Sequence, residues 1–227
     1  MADVRLNTEQ RHEAIVLAAT PLFARKGFAR TTTKEIAAAA GVSEALLYKH
    51  FPGKDAIYRE MLQSCGKTCD PILARLHELE PSTSTLVLVI YLLLQRLVLG
   101  GASAKPDWET RHRLMLKSLL EDGEFAALVF DLVVNSAYPM FEASVKAAEE
   151  AGDFVETPVT PVNRFWFVHH LGTVLAYVRL PKKPLPHEGA LEELLTQACW
   201  FILRGIGLKD EAIRSHFNPK ALALLQH

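Results

Sequence analysis

Apolar residues along this chain recur with the period of an α-helix. The first segment places its apolar residues at i, i+3, i+4, i+7 and i+8, on one helical face: Ile15, Ala18, Ala19, Leu22 and Phe23. Thr8 provides a helix start and Gly27 an end. No stretch alternates convincingly between apolar and polar residues with the period of two that a half-buried strand requires. The chain is therefore predicted to be all-α.

Proline and glycine clusters divide the rest of the chain into segments of helical length. Two short helices are expected at 33–40 and 43–51, followed by a longer one from Lys54. Beyond residue 80, helices are expected at 82–99, 107–121, 124–151, 162–180 and 188–206, with a short helix after Pro219. Pro139 falls inside 124–151 and should kink or split that helix, because proline lacks an amide hydrogen and crowds the preceding turn.

Composition describes a globular protein with a real core. Of the 227 residues, 49% are hydrophobic and 22% are charged, which is enough for a small domain joined to a larger one. Three cysteines do not make a disulfide framework, and the N-terminus has no apolar signal core, so we expect a cytoplasmic protein. The most apolar stretch, 86–94, falls short of the roughly 20 residues of a membrane-spanning helix and predicts a buried helix and no membrane partner.

The charge balance limits any basic surface to a small area. The net charge is −1, and residues 1–60 carry nine Lys or Arg against seven Asp or Glu. A nucleic-acid contact would therefore depend on a few specifically placed residues.

The helix expected at 43–51 has two different faces. At 100° per residue, Leu47 and Phe51 fall on one side, together with Val42. The opposite side and its flanks carry Glu44, Ala45, Leu46, Tyr48, Lys49 and His50. An exposed leucine beside an alanine is unusual in a solvated helix, but apolar groups suit the thymine methyls of a DNA major groove.

The helix before it completes a recognisable arrangement. Ile36, Ala37 and Ala40 form its inward face, Gly41 allows a tight turn, and Ser43 can cap the next helix. Two short helices joined by a glycine turn are typical of the helix-turn-helix, whose second helix enters the major groove. The same turn also joins helices in many bundles that bind no DNA.

Candidate phosphate contacts lie at two helix starts. Thr31, Thr32 and Thr33 precede or begin the helix at 33–40, and Lys54 begins the fourth helix. Hydroxyl groups and free backbone amides at such positions favour a phosphate. The threonines can equally serve only as a helix cap.

A run of residues at fixed spacing resembles the N-terminal DNA-binding domain of the TetR family of bacterial transcriptional regulators. The matching residues are Gly27-Phe28, Thr31-Thr32, Ile36-Ala37, Ala40-Gly41-Val42-Ser43, Tyr48, Phe51 and Lys54. The resemblance covers the first quarter of the chain. The rest is similar only in its helical character, its length and the run from Leu203 to Gly207. Ala45 and Leu46 depart from the glycine and small polar residue that the family often has there, so groove contact should involve less hydrogen bonding.

The resemblance implies a division into a helix-turn-helix DNA-binding domain at 1–53 and a helical regulatory domain at 54–227. It implies a homodimeric regulator, most simply a repressor, that binds a palindromic operator in double-stranded DNA and responds to a small, largely hydrophobic effector. It implies neither enzymatic activity nor a cofactor. One alternative is a helical small-molecule-binding protein or enzyme whose N-terminal module no longer reads DNA. Another keeps DNA binding but has no small-molecule effector, and its central helices serve only to dimerise. The effector, the operator and the choice between repressor and activator stay open.

Aromatic and apolar residues in the middle of the chain are candidates for an effector pocket, with histidines as polar partners. They are Trp108, His112, Met115, Phe130, Tyr138, Phe141, Phe165, Trp166, His169 and Tyr177. The candidates for dimerisation, by similarity to the family's last two long helices, are Gly172, Ala176, Leu191, Leu195, Ala198 and Ile202. Both sets can also be ordinary core.

No metal site is predicted. His169 and His170 are adjacent, and their side chains would point about 100° apart on a helix, which disfavours shared binding of one ion. Cys65 and Cys69 are one helical turn apart, but no third ligand lies near them in the sequence. A thiol sensor at these cysteines stays open.

Overall fold

The computed structural model describes residues 7–67, 76–100, 108–181 and 187–223. Within these ranges the chain forms eleven α-helices, and a 3₁₀ turn at Leu76–Glu78. The helices are α1 Thr8–Lys26, α2 Thr33–Ala39, α3 Glu44–His50, α4 Lys54–Lys67, α5 Thr83–Val98, α6 Trp108–Leu120, α7 Glu124–Glu150, α8 Pro161–Tyr177, α9 Leu191–Gly205, α10 Asp210–His216 and α11 Pro219–Ala223. The described residues contain no β-sheet, so the all-α prediction is confirmed; an isolated antiparallel bridge joins Phe154 and Leu208.

The helix ends lie within a few residues of the predicted ones. The first helix is capped by Asn7 rather than Thr8: the Asn7 side chain accepts a hydrogen bond from the Gln10 amide at 2.8 Å, and the Gln10 side-chain oxygen accepts one from the Asn7 amide at 3.0 Å. The helix α10 is not among the predicted helices. Its N-cap residue, Lys209, makes no side-chain cap hydrogen bond, so the usual polar start signal is missing.

The helix α7 runs without a break through Pro139, so the predicted split is wrong and the predicted kink stays a prediction. Pro139 and Asn135, whose carbonyl loses its amide partner to the proline, are both exposed. Water can therefore satisfy that carbonyl, and the helix continues. By length and composition alone α7 could cross a membrane, which is weak evidence because the core helix of a soluble bundle passes the same test.

The described helices divide into two compact units. The first contains α1 to α4, α6 and the start of α7 up to Phe130, and the second contains α5, the rest of α7 and α8 to α11. The first unit thus extends beyond residue 53. The functional division at that residue stays a prediction.

The first unit is built around α1, which packs against α2, α4 and α6, while α2 packs against α3. Its largest fully buried side chains come from the first four helices and the start of α7: Ile15, Phe23, Ile36, Leu47, Ile57, Met61 and Phe125. Because α3 contributes Leu47 to this core, the helix is held by burial along one side and leaves its other side outward.

The second unit is built around α5, which packs against α8, α9 and α10. The apolar stretch 86–94 lies inside it, almost entirely buried, as the sequence predicted. Gly172 permits the close packing of α8 on α5, because a Cβ atom there would lie 2.8 Å from side-chain atoms of both Leu94 and Leu97. Polar contacts join the start of α5 to two other parts of this unit. Thr83 donates to the Asp153 carboxylate at 2.6 Å, and Ser84 contacts His216 of α10 at 2.8 Å.

The two adjacent leucines of α3 allow a matched test of this packing. Leu47 is 0% exposed, and Leu47→Ala is expected to lower the free energy of unfolding by about 2–5 kcal/mol. Leu46 is only half-buried, and Leu46→Ala should cost less than about 1 kcal/mol. Chemical denaturation followed by circular dichroism measures both. Equal losses would show that α3 is not anchored through Leu47.

A second prediction concerns the carboxylate of Glu35, which joins α1 to α2. Its bond to Lys26 and those to Thr32 lower the pKa of Glu35 from 4.5 to about 2. A depressed carboxyl pKa contributes stability above pH 4.5 that is lost as the pH falls towards 2. Glu35→Gln should therefore flatten the fall of the melting temperature across that window, whereas Glu9→Gln, which removes an exposed acid from α1, should leave it unchanged.

Candidate DNA-binding surface

The turn between α2 and α3 depends on the backbone of Gly41. Its φ of +65° lies in the left-handed region that favours glycine, and open space surrounds the position of a Cβ atom. The chain folds back on α2 through hydrogen bonds from the Gly41 amide to the Ala38 carbonyl at 3.2 Å and from the Val42 amide to the Ala37 carbonyl at 3.0 Å. These bonds fix where α3 begins.

Polar side chains cap both short helices. Thr32 accepts a hydrogen bond from the Glu35 amide at 3.3 Å, and the Glu35 carboxylate accepts one from the Thr32 amide at 3.1 Å. Ser43 accepts from the Leu46 amide at 3.1 Å. Ser43 thus has the capping role expected from the sequence, and its hydroxyl serves the helix start.

The surface face of α3 carries the residues that the sequence placed there. Leu47 is buried with Phe51, whereas Glu44, Ala45, Tyr48 and Lys49 are exposed, and Leu46 and His50 are half-buried. The surface side of α3 therefore combines two apolar side chains, an ammonium group, a phenol and an imidazole with one carboxylate. This mixture can contact both base edges and phosphates.

Tyr48 connects this face to α2. Its hydroxyl lies 3.2 Å from the hydroxyl of Thr33, at the start of α2. The contact holds the Tyr48 hydroxyl at the start of α2, although half of the Tyr48 side chain stays exposed. Thr33 and Tyr48, predicted separately, are thus brought together.

Two predicted phosphate contacts have other partners in the structure. Thr31 is 1% exposed, and its hydroxyl donates to the Gly27 carbonyl at 2.8 Å. The Lys54 ammonium donates to the carbonyls of Phe28, Ala29 and Thr31 at 2.9, 3.2 and 3.2 Å. An ammonium group has three donors, so a phosphate would have to compete with three carbonyls for Lys54. Both side chains hold the loop before α2.

Sequence reasoning missed three cationic or titratable side chains at this surface. Arg30 and Lys34 are exposed on either side of the threonine cluster. His12 of α1 lies beside the end of α3, with its ring stacked on Phe51 at 4.1 Å and 6.3 Å from the ring of His50. The charges of Arg30 and Lys34 were visible in the sequence, whereas the approach of His12 depends on the packing of α1.

The ten effector candidates are divided between the two units. In the second unit an aromatic cluster forms, in which Phe165 lies 5.4 Å from Tyr138, 5.3 Å from Phe141 and 5.6 Å from Trp166. His169 extends it, 5.6 Å from Trp166. Tyr177 is half-buried in the same unit. Phe141 and Phe165 are fully buried core residues, and an effector pocket at this cluster stays a prediction.

The other four candidates lie in the first unit. Trp108 and His112 are in contact on α6, with ring centroids 4.5 Å apart and the His112 Nδ1 atom 2.8 Å from the Trp108 carbonyl oxygen. Met115 is buried on the same helix, and Phe130 is half-buried on α7.

The six dimerisation candidates lie on α8 and α9 but mostly point into their own chain. Gly172, Ala176, Leu195, Ala198 and Ile202 are buried, and Leu191 is half-buried. The stripe of small and apolar residues read from the sequence therefore packs inside the second unit. The same two helices expose a different apolar set: Val162, Phe167, Val174 and Phe201.

Within the described ranges, no group of three His, Cys, Asp or Glu side chains lies close enough to hold a metal ion. Cys69 and the side chain of Cys65 lie outside the described part of the structure.

Comparison with known proteins gives matches of three kinds. Residues 15–61 match the family described as bacterial regulatory proteins, tetR family. The nucleoid occlusion factor SlmA of Salmonella paratyphi B is 32% identical over 124 residues, which is 52% of this chain and 59% of SlmA. The match thus spans less than two thirds of that relative's length.

Solved structures share the fold over most of the chain. A tetR-family regulatory protein from Rhodococcus RHA1 superposes with a TM-score of 0.63 at 19% identity, covering 88% of this chain and 99% of that one. AibR, solved with isovaleryl coenzyme A and operator DNA, superposes with a TM-score of 0.61 at 17% identity, covering 84% and 97%. Residues 15–61, which hold the helix-turn-helix geometry, thus match the tetR family of bacterial regulatory proteins, and the chain shares the fold of a solved tetR-family protein.

Proposed function

We propose that this chain is a DNA-binding transcriptional regulator that inserts α3 into the major groove of an operator. The observation that carries the proposal is the division of α3 between a buried Leu47 and an outward face that includes Tyr48 and Lys49. A helix held by one side, at an angle fixed by the Gly41 turn, can enter a groove about 12 Å wide without losing its core contacts.

The outward side chains have separate roles in this proposal. Ala45 and Leu46 offer apolar contact to thymine methyl groups. Lys49 and the Tyr48 hydroxyl reach base edges or phosphates, and His50, next to His12, contributes at the groove edge. The carboxylate of Glu44 can accept a hydrogen bond from the amino group of cytosine, while it repels phosphates. Few cations take part, which fits the net charge of −1.

Two copies of the chain are needed to read a palindromic operator, with half-sites about 34–36 Å apart. Support for a homodimer comes from the exposed apolar side chains of α8 and α9. Phe167 and Val174 are two helical turns apart on one face of α8, and Phe201 of α9 is 71% exposed. Apolar side chains of this size favour burial against a second copy.

An effector is the third part of the proposal. A protein of the same fold, AibR, has been solved with isovaleryl coenzyme A and operator DNA. In this chain the aromatic cluster around Phe165 supplies apolar walls, and Trp166 and Tyr138 are only half-buried at its edge. We infer a small, largely hydrophobic effector that releases or modulates a repressor. To do so it must bind one DNA-binding state better than the other, typically by about 1–3 kcal/mol.

DNA recognition is tested with an operator selected by the unaltered protein from random-sequence duplexes. Lys49→Ala is expected to weaken binding to the selected duplex about tenfold and to lower the slope of log K against log salt by about 1. Lys220→Ala removes the same charge from an exposed position on α11 and should change neither quantity. If the unaltered protein selects no duplex at any salt concentration, the alternative of a helical binding protein or enzyme that does not read DNA replaces the proposal.

Dimerisation is tested by placing a charge on the exposed face of α9. Phe201→Asp is expected to convert the dimer to a monomer in sedimentation measurements, because a carboxylate would lose its hydration at an apolar interface. Leu120→Asp is the control, since Leu120 of α6 is 80% exposed yet lies outside α8 and α9. A dimer that survives Phe201→Asp would place the interface elsewhere.

A further inference from the structure

Both backbone groups of Phe28 are held by charged side chains from distant parts of the sequence. The Phe28 amide donates to the Glu121 carboxylate at 3.0 Å. The Phe28 carbonyl accepts from the Lys54 ammonium at 2.9 Å, and the same ammonium lies 4.5 Å from the centre of the Phe28 ring. Lys54 belongs to α4, whereas Glu121 follows α6. We call these three residues the Phe28 clamp.

We propose that Glu121 is a positioning residue for DNA recognition, because its carboxylate fixes the loop between α1 and α2, which leads into the helix-turn-helix. The inference rests on the proposed function and deepens it. It assigns to the turn between α6 and α7 the task of fixing the orientation of the recognition helix.

Hydrogen bonds within the turn between α6 and α7 fix the backbone position of Glu121. Its amide donates to the Ser118 carbonyl at 3.1 Å, and the Gly123 amide donates to the same oxygen at 2.8 Å. The Asp122 carboxylate accepts from the Ser118 hydroxyl at 3.2 Å and caps α7 through the Glu124 amide at 2.9 Å. The end of α6, the turn and the start of α7 therefore act as one piece. A displacement of either helix would move the Glu121 carboxylate with it.

The backbone of Gly27 makes room for this carboxylate. A Cβ atom at residue 27 would lie 1.9 Å from the Glu121 Oε1 atom, and the φ of Gly27 is +78°. Glycine at this position thus does two things: it ends α1, and it lets the carboxylate reach the next amide.

A second contact joins the same turn to the helix-turn-helix unit. The Tyr58 side chain of α4 lies near the carboxylates of Asp122 and Glu124. Burial, with the charges of Asp122 and Glu124, raises the pKa of Tyr58, so the phenol stays protonated. The ring of Tyr58 lies 5.0 Å from that of Phe28. The turn therefore binds the Phe28 peptide directly, and Tyr58, beside the turn, packs against the Phe28 ring.

From Phe28 the contacts continue to the DNA-binding face. The Thr31 amide donates to the Phe28 carbonyl at 3.3 Å, and Thr31 directly precedes the N-cap of α2. Thr33, in the first turn of α2, touches Tyr48 of α3 at 3.2 Å. Glu121 is thus linked to the outward face of α3 by the two hydrogen bonds of Phe28, the backbone of residues 31–33 and the contact between Thr33 and Tyr48.

The test compares specific with non-specific DNA binding. Glu121→Ala is expected to weaken binding to the selected operator about three- to tenfold, because a partly exposed charge-assisted hydrogen bond is lost. Binding to a random duplex of the same length should not change, because the exposed cations are untouched. Asp131→Ala removes an exposed acid from the part of α7 that lies outside the first unit and should leave both affinities unchanged. Measurements are made well below the melting temperature, with the active fraction titrated.

A second variant displaces the carboxylate without altering Glu121. Gly27→Ala should push Glu121 off Phe28 and weaken operator binding to the same extent as Glu121→Ala. The strain of a side chain at φ +78° and ψ 170° is the same with and without the Glu121 carboxylate, so comparing Gly27→Ala with a double variant cancels it. In the double variant Glu121→Ala with Gly27→Ala, no further loss of operator binding is expected, since both changes remove one contact.

The outcomes separate this inference from the function on which it rests. A selected operator bound equally by the unaltered protein and Glu121→Ala overturns the inference alone. Parallel losses of operator and random-duplex binding by Glu121→Ala would also overturn it, because they indicate a structural role only. Failure of the unaltered protein to select any duplex overturns the proposed function, and this inference with it.

Discussion

Burial of Leu47 is the interaction on which the DNA-binding surface depends. A helix of seven residues has no stability of its own in water, so α3 exists because one side of it is inserted into the core of the first unit. The Gly41 turn fixes the direction from which it enters. The burial of Leu47 therefore sets the positions of the outward side chains between Ala45 and His50.

The charged residues near this surface divide into two groups with different tasks. Lys49, Arg30 and Lys34 are exposed and available to a polyanion. Lys54 and Glu121 bind the backbone of Phe28, and their charges strengthen the hydrogen bonds that hold the loop between α1 and α2. A chain with nearly balanced charge can therefore still present local cations, because Glu35 caps α2 and Glu121 binds the Phe28 amide, while Glu44 stays exposed on the outward face of α3.

The second unit shows how one helix can be buried on almost every side. The helix α5 is enclosed by α8, α9 and α10, and its apolar length matches that enclosure. Because α8 and α9 turn their small residues towards α5, their larger side chains, such as Phe167 and Phe201, remain outside. Internal packing thus decides which face is left for a second copy.

The sequence by itself determined the helical class, most helix limits and the two faces of α3, because period and helix punctuation are local properties. It could not assign Lys54 or Thr31, since a cation or hydroxyl at a helix start can bind a phosphate or a nearby carbonyl, and only the fold brings those carbonyls within reach. The apolar stripe on α9 was equally ambiguous, because the sequence does not tell whether an apolar side chain packs against its own chain or against a partner. In the structure Leu195 and Ile202 pack inward, and Phe201 points outward. The contact between Glu121 and Phe28 spans 93 residues and has no local signature, so the tertiary structure alone decided it.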